Sequence, residues 1–156
     1  MVALEVHLEN FQRVYYRDGE DIDPANLAPR QTTLTKFFEL CQEDTFAQTL
    51  RYIETPSFYT WQKSGEIGWK RRKNGEDVEG HPGIKKADTL GRIHTVSPNQ
   101  EEAFCLRLLL NNVQGPTSFD DVKTVNGVLH GTFRDACRSL SLLGNYLFHF
   151  RISILF

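Results

Sequence analysis

Apolar positions near the N-terminus alternate with polar ones at Leu4, Val6 and Leu8, and a β-branched and aromatic run returns at Val14, Tyr15 and Tyr16. With Glu9-Asn10 between them, the two runs predict a pair of short strands joined by a turn. Leu34, Phe37, Phe38 and Cys41 then fall at i, i+3, i+4 and i+7, the face of one helix, with Thr32 and Thr33 placed to cap it. Asp44 is placed to cap a further turn carrying Phe46, Ala47 and Leu50, and Pro56 is expected to end this helical region. The period changes to two in Phe58-Tyr59-Thr60-Trp61 and Ile67-Gly68-Trp69, which read as strands around Ser64-Gly65. Residues 70–92 are rich in glycine and loop-like, and Arg92 to Val96 reads as a short strand. Asn99 with Glu102 three residues on matches a capping box, ahead of the run Ala103 to Leu110, apolar nearly all round and therefore a buried central helix stopped by Gly115-Pro116. Thr117 to Asp121 suggests a helical turn. Asn126-Gly127 between two β-branched pairs is a hairpin signal. Thr132 with Asp135 opens a last helix with Phe133, Ala136, Cys137, Leu140 and Leu143 on its face, expected to end at Gly144. The sum is an α+β single domain: short antiparallel hairpins packed on about three to four helices, without repeats.

Composition narrows the classes. A chain of 156 residues, 40% hydrophobic and 24% charged, is about one folded domain, too short to hold both a motor and a nuclease. Eighteen Lys and Arg against 20 Asp and Glu give a net charge of -2, so attraction to nucleic acid has to be local. The three cysteines, Cys41, Cys105 and Cys137, form no Cys-x-x-Cys pair and favour a reducing compartment. The N-terminus lacks a basic region followed by a long apolar run, and no stretch approaches the roughly 20 apolar residues of a membrane span. A nuclear or cytoplasmic rather than secreted protein is expected.

Catalytic motifs are not evident. No glycine is followed by lysine, which a phosphate-cradling Walker loop requires, and no Gly-x-Gly-x-x-Gly is present. His7, His81, His94, His130 and His149 never flank a single apolar residue, the spacing that sets two imidazoles on one side of a strand to hold a nuclease metal. Glu101-Glu102 and Asp120-Asp121 are paired carboxylates, but both pairs open helices, where negative charge complements the dipole. Cys137 has no His or Asn near it in sequence and reads as packing. The acidic stretch Asp18 to Pro24 lacks the spacing and closing Glu of a calcium loop and reads as solvated loop. No catalytic residue, metal site or cofactor is expected in this chain, and none of its motifs supports ATP hydrolysis by this segment alone.

One stretch carries chemistry. Tyr59, Trp61 and Trp69 are interleaved with Lys63, Lys70, Arg71, Arg72, Lys73 and, further on, Lys85, Lys86 and Arg92. Aromatic rings stack bases while cations hold phosphates, so Tyr59, Trp61, Lys63, Trp69, Lys70, Arg71, Arg72, Lys73 and Arg92 are the candidate single-stranded DNA contacts. Five acidic residues in the same window reduce its net charge to +3. The competing reading makes both tryptophans core residues of a hairpin with a solvated basic face.

The ordered run from Leu34-Thr-x-Phe37-Phe38 through Asp44-x-Phe46-Ala47 to Tyr59-Thr60-Trp61 resembles the segment that precedes the motor in Helitron transposon proteins, relatives of Pif-type ATP-dependent DNA helicases. The likeness continues through Trp69-x-Arg71-Arg72-Lys73-x-Gly75, Leu90-Gly91-Arg92-Ile93-x-Thr95-Val96-x-Pro98, Glu102-x-Phe104-x-Leu106, Val113-x-Gly115-Pro116-Thr117-Ser118-Phe119 and Thr132-Phe133-x-x-Ala136-Cys137. It covers roughly residues 1–143. The resemblance implies a long parent polypeptide, with a rolling-circle nuclease before this region and a helicase using ATP and Mg2+ after it. This chain would then be a non-catalytic accessory domain, its partners the nuclease and helicase parts and single-stranded DNA. The alternative is an interdomain or protein-interaction module without DNA contact. Residues 144–156 depart from the family pattern, which implies a truncation or a misread frame there.

Overall fold

The computed structural model describes residues 1–12 and 30–143. Within them the mixed α+β class holds. Helices α1 (Thr33–Glu43), α3 (Glu101–Leu110) and α5 (Phe133–Ser139) are accompanied by the single turns α2 (Thr55–Phe58) and α4 (Phe119–Val122). The strands are β1 (Val2–Leu4), β2 (Tyr59–Gln62), β3 (Gly68–Arg71), β4 (Glu76–Asp77), β5 (Lys85–Lys86), β6 (Gly91–Ile93), β7 (Thr124–Val125) and β8 (Val128–Leu129). They form four two-stranded ribbons. β2-β3, β4-β5 and β7-β8 are antiparallel, whereas β1 and β6 pair in parallel with Leu4 opposite Ile93.

Helix α3 is the centre, as its all-round apolar sequence predicts: Phe104, Cys105, Leu106, Leu108, Leu109 and Leu110 are all buried. α5 lies against it through Phe133, Ala136 and Cys137, and α1 contributes Leu34, Phe37, Phe38 and Cys41 to the same core. The Thr32 hydroxyl accepts from the Thr35 N–H at 3.2 Å, and the Thr35 hydroxyl accepts from the Thr32 N–H, a capping box built from two threonines. A closed ring of three hydrogen bonds joins α1 to the N-terminal segment. The Glu5 N–H donates to Thr33 Oγ1 at 2.9 Å, Thr33 Oγ1 bonds the Tyr52 hydroxyl at 2.7 Å, and that hydroxyl donates to the Glu5 carbonyl at 2.9 Å. Both side chains are buried, so each polar atom taken from water finds a partner.

Several expectations change. The turn at Glu9-Asn10 forms, with Asn10 at φ 65° and the Phe11 N–H donating to the Leu8 carbonyl, but β1 finds its ladder partner in β6. Val14 to Tyr16 and the acidic stretch from Asp18 lie outside the described residues. Pro56 sits in the first turn of α2 instead of ending a helix, the place where a missing N–H costs nothing. Residues 70–92 hold the small ribbon β4-β5 within their loop. α3 ends at Leu110, short of Gly115. α5 ends at Ser139 in a Schellman arrangement: the Leu142 N–H donates to the Cys137 carbonyl and the Ser141 N–H to the Arg138 carbonyl, with Ser141 at φ 58° where glycine is usual. Gly144 falls outside the described residues.

The Asn99-Glu102 capping box does not form, because Glu102 is engaged elsewhere. Its two carboxylate oxygens accept from the Phe133 and Arg134 N–H groups at 2.9 and 3.2 Å, so α3 caps the free end of α5 across the interface. Glu101 meets Arg134 Nε at 2.8 Å on the surface. Glu102→Ala is therefore expected to lower the unfolding free energy by about 1–2 kcal/mol, and Glu101→Ala by less than about 1 kcal/mol. Urea denaturation of the two variants checks this; equal losses would remove the cap from the account.

Candidate nucleic-acid interface

The β2-β3 ribbon carries most of the candidate residues, and its register explains their interleaving. Tyr59 faces Arg71, Thr60 faces Lys70, Trp61 faces Trp69 and Gln62 faces Gly68. Successive side chains point to opposite faces, so Tyr59, Trp61, Trp69 and Arg71 share one side while Thr60, Gln62 and Lys70 share the other. What reads in sequence as rings mixed with cations is largely an amphipathic ribbon.

The inner side is structural. Trp69 is buried, and its indole Nε1–H donates to the Thr33 carbonyl at 3.1 Å. Tyr59 is 1% exposed and donates its hydroxyl to Asp44 at 2.8 Å. Neither ring is open to a base, which corrects their assignment as stacking residues: the nearby α1 claims both. Trp61 is half-buried, edge-on to Trp69 with ring centres 5.2 Å apart, and is the one ring of the three with a substantial open surface.

Asp44 is the pivot of this side. Its carboxylate accepts from the Phe46 N–H at 3.0 Å, from Tyr59 and from Arg71 Nε at 3.1 Å. Burial works to raise its pKa, but the bonds from Arg71, Tyr59 and the Phe46 amide outweigh it and hold the carboxyl below the usual aspartate value. Burial and the adjacent carboxylate push the Tyr59 phenol up, and the bond to Asp44 raises the Arg71 guanidinium.

A groove of about 590 Å³ is lined by Thr60 and Lys70 of the outer side, by Trp61 and Arg71 of the other, and by Arg72 and Lys73 beyond β3. Its remaining walls are Gln62 and Asn74, so no carboxylate lines it. Arg72 is held in place by two N–H groups donating to the Pro56 carbonyl at 2.8 and 3.1 Å, Lys70 pairs with exposed Glu66, and Lys73 has no acidic partner among the described residues. Lys63 lies beyond β2 and lines a second, larger groove of about 1280 Å³. Arg92, exposed on β6, lines neither. Residue type alone does not single out Thr60, Gln62 and Asn74; strict alternation along β2 is the signal that places the first two on the side of Lys70.

The other candidates resolve into structural roles. Asp121 accepts from the Thr117 N–H at 2.9 Å and Asp120 pairs with Lys123, so both carboxylates serve the α4 turn. The Cys137 thiol donates to the Cys105 carbonyl at 3.3 Å, and the Cys105 thiol together with burial pushes it well above the usual range; burial raises Cys41 to about 12. Both are poor nucleophiles. His7 is buried against Thr32, with burial lowering its pKa, and His81 packs on Phe46. No group of three or more His, Cys, Asp or Glu side chains gathers with metal-holding geometry among the described residues, where no helix is long and apolar enough to cross a membrane. Compared with known proteins, the chain matches no family model and no curated sequence.

Proposed function

We propose that this chain is a non-catalytic accessory domain that contacts single-stranded DNA through the β2-β3 ribbon. The observation that carries the reading is the groove itself: four cations line it and no acidic side chain does, with Lys73 unpaired among the described residues and Lys70 and Arg71 each paired with a carboxylate outside the lining. In a chain of net charge -2 that is a local positive field, the kind that tracks a phosphate backbone. The contact is mainly electrostatic, with Trp61 the ring at hand for a base. On the resemblance to the region before the motor in Helitron-like helicases, the domain would hold the strand while neighbouring nuclease and helicase parts, the latter with ATP and Mg2+, carry out rolling-circle transposition. A nuclear or cytoplasmic place goes with that role.

The test is binding of a fluorescent single-stranded oligonucleotide over a salt series. Lys70→Glu with Lys73→Glu touches two exposed or half-exposed side chains outside the core. The pair is expected to weaken binding about tenfold to a hundredfold at low salt and to shallow the slope of log K against log salt by about 1.4, about 0.7 for each phosphate that is no longer neutralised. Failure of the unaltered chain to bind at low salt would overturn the reading. The second reading, a protein-interaction module, is favoured by Val128 and Leu129, 58% and 57% exposed on the β7-β8 hairpin. It gains if charge reversal leaves DNA binding untouched.

A further inference from the structure

The larger groove adjoins the acid-free one, and the two share Thr60, Trp61 and Arg72. We infer that the larger groove is a subsite for an unstacked base of the same single strand, an inference that rests on the reading just given. Four observations carry it. Its volume of about 1280 Å³, above the range of about 300–1000 Å³ usual for small-ligand sites, leaves ample room for a nucleobase. Trp61, braced edge-to-face by Trp69, stands on the ridge between the grooves, and Phe11, 75% exposed, lines the larger one, so two rings are available to cover a base.

The charge differs in kind from that of the neighbouring groove. Glu5, Glu101 and Glu102 line it beside Lys63 and Arg72, and each carboxylate is already engaged, by Arg30, by Arg134 and by the α5 amides respectively. A lining of both signs, its carboxylates already paired, attracts a phosphate less than the acid-free groove does and sets no charge against a neutral base, so the acid-free groove takes the backbone and this one takes the base. Finally, the side chains of His94, Thr95 and Gln100 line the groove and have no hydrogen-bond partner among the described residues. They offer donors and acceptors to a base edge.

The experiment compares a short oligodeoxycytidine strand with a strand of the same length whose sugars carry no bases, each titrated against the full chain by fluorescence anisotropy at one low salt concentration and again over a salt series. The abasic strand is expected to bind about tenfold more weakly with an unchanged salt slope, because stacking disappears while the phosphates are still held. Equal affinity for the two strands would overturn the base subsite and leave the phosphate groove standing; absence of binding by both would overturn both. Phe11→Ala removes an exposed ring outside the core and is expected to narrow the gap between the strands. A gap as wide as that of the unaltered chain would put the base elsewhere and count against this groove.

Discussion

Asp44→Ala is expected to lower the unfolding free energy by about 3 kcal/mol, from about 1–3 kcal/mol for stranding a buried hydroxyl and about 1 kcal/mol for losing a turn cap. The hydroxyl is that of Tyr59, 1% exposed, and the cap is the bond from the Phe46 N–H. The Arg71 pair adds little to this figure, since the guanidinium is half exposed and water replaces its partner. Asp44→Asn keeps the shape and one acceptor oxygen and is expected to lose less, about 1–2 kcal/mol. The sign with pH follows from the depressed carboxyl. A group ionised more readily in the folded chain than in the unfolded one stabilises the fold above its unfolded pKa of about 3.9, and this contribution disappears as pH falls through the folded value. Melting temperatures of the unaltered chain should therefore fall more steeply below about pH 4 than those of Asp44→Asn. Parallel curves through that range would show that the Asp44 charge is not coupled to folding.

The sequence is most readable where a local rule and tertiary packing agree. The 3.6-residue spacing from Leu34 to Cys41 gives α1 with its Thr32 cap, the apolar run to Leu110 gives the central helix, and Asn126-Gly127 gives the β7-β8 turn with φ 51° and 80°. Local rules fail where a distant group has a stronger claim. Glu102 stands where a capping box needs it, yet the unsatisfied amides of α5 take both its oxygens. β1 has the alternation of a hairpin arm, but its ladder lies with β6, far along the chain, and no local pattern encodes a parallel partner. The candidate interface is half legible. Residue type and spacing point to the cations of β3 and its following loop, but which rings stay open depends on where α1 packs, and that removes Trp69 and Tyr59 while leaving Trp61. The acid-free character of the smaller groove is a property of the folded surface: the window itself contains Glu66, Glu76, Asp77, Glu79 and Asp88, none of which lines it.

Gly115→Ala is expected to be as damaging as the loss of Asp44, costing about 3 kcal/mol or more, by another mechanism: about 1–2 kcal/mol for a left-handed backbone with a Cβ, and the remainder from a clash. Gly115 has φ 59°, and its N–H donates to the Leu50 carbonyl at 2.8 Å beside the bridge between Arg51 and Gln114. An added Cβ would lie 2.7 Å from the carbonyl carbon of Gln48 and closer still to its oxygen, both backbone atoms that no rotamer change moves away. The residue read in sequence as a helix stop is thus the point where the chain after α3 closes onto the turn after α1. Gly127→Ala is the control, since Gly127 has φ 80° with no atom within 4 Å of its added Cβ, and only the backbone cost of about 1–2 kcal/mol should appear. Urea unfolding of the two variants separates the contributions. Losses of equal size would mean that the approach of Gly115 to Gln48 relaxes freely, whereas a loss at least twice as large for Gly115→Ala would show that this junction is close-packed and that the two halves of the core are locked together there.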